Sequence, residues 1–349
     1  MVCLATLRSE SPGSDPLIYR CHCQEIISGS NLLPGVPSLS TLRQRLSKIR
    51  TDPKWLFGVY STFAMRVNRR FHEKFYSADG FDVMDEDWDT LVILDACRYD
   101  LFSEECSLEG DLQSRLSPAS ESRAYLEKQF TGETFHDTIY LTANPHADVI
   151  PEKTFFKVRQ LLSESWDSDL ETVRPDALVE AAIEEQQSHP DKRIIVHFMQ
   201  PHFPFIGDTG KDLPQSGISA GSDGKGSGKD VWTALKLNSH PEITRDHVLT
   251  AYHENLDLTL EVIERRLLPS IPGRTVLTAD HGNLIGKWVG PLPAKCWGHP
   301  HHIRAEGLNR VPWFVIKSEN RPKIRAETPR ADQQSEVSDE QLRALGYVA

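Results

Sequence analysis

Between Trp88 and Asp95 the chain reads WDTLVILD, and Leu91, Val92, Ile93 and Leu94 form an apolar run without interruption. A strand that is apolar on both faces must be covered on both, as happens inside a parallel sheet with helices on each side. Comparable runs follow at Thr138–Thr142 (TIYLT), Ile194–Met199 (IIVHFM), Thr275–Thr278 (TVLT, entered through Pro272 and Gly273) and Val311–Ile316. Helical patterns lie between them, from about 123 to 130, from 176 to 187 behind Pro175, and from 244 to 268, where Leu249, Tyr252, Leu256, Leu260, Ile263 and Leu267 recur at threes and fours. Such alternation predicts βαβ units and a three-layer α/β/α sandwich around a mostly parallel sheet.

The flanks read differently. Residues 1–40 are rich in Ser, Pro and Gly without a sustained period, which predicts a poorly ordered leader. Residues 41–85 form a basic helical arm: between Thr41 and Tyr76 nine Lys or Arg stand against Asp52 and Glu73, with a break expected near Asp52-Pro53. Such a face suits peripheral contact with an anionic membrane surface, or packing across an acidic domain. Residues 86–349 form the main domain. Within it, 207–230 is a Gly/Ser-rich stretch expected to be a flexible loop beside the site, and 339–348 a short closing helix.

With 39 basic against 50 acidic side chains the formal charge is -11, which disfavours nucleic acid as a partner. Six cysteines without CxxC spacing predict reduced thiols, and Cys21-His22-Cys23 lacks the second ligand pair a zinc site needs. No apolar run approaches the roughly 18 residues of a membrane span, and no basic-then-apolar leader opens the chain, so a cytoplasmic protein is expected.

Chemistry gathers where the strands end. Asp95 closes the first run, His202 follows the fourth helix-linked strand in QPHFPF, and TVLT runs into Asp280-His281-Gly282, with His299 soon after. Open α/β sheets bind ligands outside the carboxyl ends of their strands. Carboxylates with an imidazole can hold a divalent ion there, and a serine hydroxyl at a helix start could be activated by it. Ser117, Ser120 and Ser122 are the candidates for that hydroxyl, in the stretch GDLQSRLSPASESRAY, read as a loop leading into a helix.

These segments resemble the sulfatase-like branch of the alkaline phosphatase superfamily. LVILDACRYD is similar to the family's first strand and metal aspartate, FMQPHFPF to its strand with a substrate-contacting histidine, TADHGN to its Asp-His metal segment, and GHPHHIR with RVPWFVI to its late histidine and following strand. DEQLRALGYV resembles the family's C-terminal Leu-Gly-Tyr helix. The resemblance spans about Trp88 to Val348. It implies one divalent ion (Ca, Mg, Mn or Zn) held by Asp95, Ser122, Asp280 and His281, with Ser122 as nucleophile and His202 and His299 on the ester oxygens or leaving group. Ser122 is preferred because Tyr125 follows it closely, as an aromatic residue does in relatives with an unmodified nucleophile; Ser120 and then Ser117 come next.

Three departures qualify what is implied. No C/S-x-P-x-R motif stands in the interval where sulfatases form formylglycine, Ala96 replaces the usual second acid, and Gln200 sits where two-metal relatives carry an acid, which implies a single ion. The expected activity is hydrolysis of a sulfate or phosphate ester on a small molecule, glycan or lipid. The alternatives are a phosphoryl or phosphoglycerol-type transferase, and a non-catalytic relative that binds anionic glycans or lipids.

Overall fold

The computed structural model describes residues 53–76, 80–213, 231–237 and 242–329. The proposed leader 1–40, the first part of the arm, residues 214–230 of the proposed loop and the closing helix lie outside the described residues. The chain divides into two units, 1–60 and 61–349.

Helix α1 (Pro53–Phe75) opens on the proline that was expected to break it, because a first-turn proline loses no intrahelical hydrogen bond. From residue 61 on, Ser61, Ala64, Asn68 and His72 are buried at intervals of three and four. That stripe packs on a hairpin, β9 (Leu284–Val289) and β10 (Ala294–Gly298), where Asn68 both donates to Leu292 O (2.8 Å) and accepts from Leu292 N (2.9 Å). Phe63, Phe75 and Tyr76 remain exposed. Among the described residues no helix is long and apolar enough to cross a membrane.

The main sheet has seven strands: β1 (Thr90–Asp95), β2 (Asp111–Leu116), β3 (Phe135–Thr142), β4 (Phe155–Gln160), β7 (Arg193–Pro201), β8 (Thr275–Thr278) and β11 (Arg310–Ile316). Their order across the sheet is β2-β11-β8-β1-β7-β3-β4. Short strands at 166–167 and 172–173 pair separately as β5 and β6. β8, β1, β7, β3 and β4 run parallel, while β11 is antiparallel to both β8 and β2. The sheet is thus mostly parallel, and the expected three-layer α/β/α sandwich is observed.

Alternation along the strands divides the core into two sides. Val92, Leu94, Ile139, Leu141, Ile194, Val196 and Leu277 point to one side, which is covered by α2 (Tyr99–Glu105), α4 (Pro175–Ser188) and α5 (Arg245–Val262). Leu91, Ile93, Tyr140, Ile195 and Val276 point to the other, together with Tyr125, Leu126 and Phe130 of α3 (Ser122–Phe130). Parity then decides where the chemistry goes. Asp95 continues the series Leu91 and Ile93, and His197 continues Ile195, so both project to the side that α3 covers.

Candidate metal and nucleophile site

Asp95 is the last residue of β1 and wholly buried. The next residue, Ala96, takes a left-handed backbone conformation (φ 59°), which an alanine adopts at a cost unless its surroundings hold it. Here they do: Ala96 N donates to Asp280 Oδ1 at 3.0 Å, and its carbonyl accepts from the Tyr252 hydroxyl. Asp280 Oδ1 also receives His281 N (2.8 Å), so one oxygen of this carboxylate is saturated by backbone. Asp95 is treated likewise, its Oδ2 accepting from Asn144 Nδ2 (2.8 Å) and Ser122 Oγ (3.3 Å).

The other oxygens, Asp95 Oδ1 and Asp280 Oδ2, have no hydrogen-bond partner, and neither has His197 Nε2. Asp95, His197 and Asp280 offer ligand atoms that all lie within 4.8 Å of one another. His281 joins them: with its Nδ1 donating to Gly282 O (2.7 Å), its Nε2 faces Asp95 Oδ1 at 3.6 Å, Asp280 Oδ2 at 3.4 Å and the Ser122 hydroxyl at 3.3 Å. Two buried carboxylates whose unpartnered oxygens face one another repel when both are ionised, unless a cation sits among them. Burial, and then the charge of Asp280, push the Asp95 carboxyl well above its ordinary range; Asp280, despite burial, is held low by His281 and His197. The donor set fits a divalent ion in number, type and deprotonated state.

Gly282 lets the loop pass. A Cβ there would lie 2.3 Å from Gly307 O, and Gly282 N donates to Leu308 O at 2.7 Å, so the turn after His281 is pressed against the 305–310 segment.

Ser122 is the first residue of α3, behind Glu121, whose carboxylate caps the helix by accepting Ala124 N at 3.2 Å. Its Oγ lies 3.3 Å from both Asp95 Oδ2 and His281 Nε2. The other two serines are engaged elsewhere: Ser117 Oγ donates to Asp280 O, and Ser120 Oγ to Pro300 O at 3.0 Å. Of the three, Ser122 is the one aimed at the carboxylate–imidazole cluster.

His202 and His299 also come together beside it. His202 Nδ1 donates to Phe203 O (2.6 Å), so its Nε2 accepts the single hydrogen bond of 3.0 Å from His299 Nε2. His299 Nδ1 is then unprotonated and without a partner, and its ring lies 4.7 Å from that of His281 between centroids. All six residues expected from the sequence are therefore within one connected cluster.

The sequence motifs missed three members: His197, Asn144, and Tyr140, whose hydroxyl lies 2.8 Å from His197 Nδ1. A signal existed for His197, as an imidazole within an otherwise apolar buried strand and on the parity of Ile195. Asn144 was legible only as the end of a strand. Gln200 Nε2 donates to Val173 O at 3.1 Å.

Burial lowers His197 and His202 to about 4, and His299 well below its usual value. Histidines depressed in the fold contribute stability that is present above about 6.5 and lost as pH falls through their folded values. Metal-free protein should therefore lose stability as pH drops from about 6.5 toward 4; Asp95 acts in the opposite sense, one group against three. Thermal melts in chelator across that range test this, and a melting point that rises on acidification would contradict it.

No protein-family model and no curated protein matches the chain significantly. Among solved structures, the C-terminal periplasmic domain of phosphoethanolamine transferase EptC from Campylobacter jejuni is 13% identical, with a TM-score of 0.41 over 66% of this chain and 78% of that one. A 2-O GAG sulfatase gives 12% identity and a TM-score of 0.42, covering 67% and 65% of the two chains. A protein in the alkaline phosphatase superfamily from Vibrio parahaemolyticus gives 14% and 0.36, covering 67% and 60%. These likenesses are distant, and the chemistry of the site rests on this chain's own side chains.

Proposed function

We propose that the protein is a metal-dependent enzyme that cleaves a phosphate or sulfate ester through a covalent intermediate on Ser122, with water as the final acceptor. The observation that supports this most is the placing of Ser122 Oγ, at the N-terminus of α3 and 3.3 Å from both Asp95 and His281, beside a cluster of buried ligand atoms without partners.

Asp95, Ser122, Asp280 and His281 would hold one divalent ion. When bound, such an ion lowers the pKa of a hydroxyl and neutralises charge on the ester oxygens. The remaining steps belong to the protein. Asp95 Oδ2 accepts the Ser122 hydroxyl hydrogen and so orients the Oγ lone pair outward; the α3 N-terminus favours the oxyanion left behind. Attack forms the Oγ–P or Oγ–S bond as the Ser122 proton passes to Asp95 Oδ2, and breaks the bond to the leaving oxygen, which takes a proton from solvent while the neutral His202–His299 pair would hydrogen-bond the ester oxygens. Water then displaces Ser122, which recovers its proton from Asp95, and the proton lost by that water returns to solvent. Because Ser122 is an unmodified serine and no formylglycine motif is present, phosphoryl transfer is favoured over sulfuryl transfer; the glycan or lipid nature of the alcohol is part of the same proposal.

Purified protein assayed with chromogenic phosphomonoester, phosphodiester and sulfate substrates, with and without Mg, Mn, Zn or Ca and with an added acceptor alcohol, tests this. Ion-dependent release of product with water as acceptor is expected. Transfer chiefly to the alcohol would make the protein a transferase, and no turnover on any ester with any ion would overturn the reading.

A further inference from the structure

We infer that Tyr140 is a positioning residue that fixes His197 as an additional ligand, and that the second imidazole makes the site selective for a late first-row ion such as Zn²⁺ over Mg²⁺ or Ca²⁺. This rests on the reading of the cluster as a metal site and goes beyond it in naming the ion class and the residues that set it. Tyr140 lies on β3 and His197 on β7, neighbouring parallel strands in which Tyr140 pairs with Ile195 and Thr142 with His197. Both side chains point to the α3 side of the sheet and both are fully buried.

The hydrogen bond of 2.8 Å between Tyr140 Oη and His197 Nδ1 decides which nitrogen faces the cluster. His197 Nε2 approaches Asp280 Oδ2 only to 3.9 Å, too far for an N–H to be satisfied there. The proton therefore belongs on Nδ1, donated to Tyr140, and the lone pair of Nε2 is directed among the carboxylates. Second-sphere bonds of this type set both the tautomer and the ring orientation of a ligating histidine. Tyr140 is itself locked, stacked on Phe155 with centroids 5.3 Å apart, so the ring cannot turn to follow a displaced imidazole. Sites for Mg²⁺ and Ca²⁺ are built of oxygen alone, whereas imidazole suits Zn²⁺ and its neighbours. Asp95, Ser122, Asp280, His281 and His197 supply three oxygens and two nitrogens.

The test is calorimetric titration of the metal-stripped full chain with Zn²⁺ and with Mg²⁺, for the parent, Tyr140→Phe and His197→Gln, together with the visible spectrum of the Co²⁺ form. Tyr140→Phe keeps the stacked ring and removes only the hydroxyl. It should weaken Zn²⁺ by about 10- to 100-fold, leave Mg²⁺ binding nearly unchanged and alter the Co²⁺ bands; His197→Gln should remove the preference for Zn²⁺. Zn²⁺ affinities and Co²⁺ spectra identical in all three proteins would overturn the inference while leaving the metal site standing. A parent that binds no divalent ion would overturn the metal site itself.

Discussion

Replacing Ser122 with Ala is expected to lower turnover of any ester the protein cleaves by about 10⁴-fold or more, because loss of a nucleophile removes the covalent route and leaves only binding and electrostatic help. Ion binding should be weakened and not lost, since Asp95, Asp280 and His281 keep their atoms in place. The same change at Ser120 removes a hydrogen bond to Pro300 O and at Ser117 one to Asp280 O, both to backbone carbonyls. Ser120→Ala should therefore leave chemistry largely intact. Ser117→Ala should act indirectly, through the loop that carries Asp280. Steady-state rates for the three variants separate these cases; near-parental turnover by Ser122→Ala would reject it as nucleophile.

The second large effect is a reversal of sign. In metal-free protein the unpartnered oxygens of Asp95 and Asp280 face each other inside a dry site, and burial with mutual repulsion raises the Asp95 carboxyl. Asp95→Asn removes one of the charges. Its amide oxygen can still accept from Asn144, while its NH₂ can donate toward Asp280 Oδ2. Replacement of a poorly compensated buried charge by a neutral isostere is stabilising by on the order of 1–3 kcal/mol. The variant should accordingly melt above the parent in chelator and below it in saturating metal, which it can no longer hold tightly. A carboxyl raised by folding contributes stability at low pH that is lost as pH climbs through its folded value, so the advantage of Asp95→Asn in chelator should grow with pH over that window. Thermal melts of both proteins, with and without ion, check the crossing; a variant less stable than the parent in chelator would count against it.

Most of the fold was legible because β1, β7 and β8 carry apolar residues on both faces, which only a covered parallel strand tolerates. Four strands were missed for the opposite reason. β2 reads DLQSRL and sits at an edge, half exposed, so its sequence looks like a loop until β11 pairs with it. β4 closes the other edge with only Phe155 and Phe156 buried, and the β9–β10 hairpin owes its burial to α1, a partner far away in sequence. The site divides along the same line. Asp95, Asp280 and His281 stand at strand ends, where a local motif announces them. His197 is inside a strand, and what makes it a ligand is parity combined with a tyrosine 57 residues away, on β3. Asn144 matters only through its bond to Asp95, a contact that no local pattern encodes.

The central claim is that an ion held among Asp95, Asp280 and the histidines lets Ser122 take the group from the ester. Acid-quenching the protein during turnover of a phosphate ester, digesting it and mapping the modified peptide by mass measures this directly. One phosphoryl group on Ser122, appearing only when divalent ion is supplied, is the predicted result. Turnover at full rate with the group on another residue, or with the group on Ser122 in the presence of excess chelator, would contradict it.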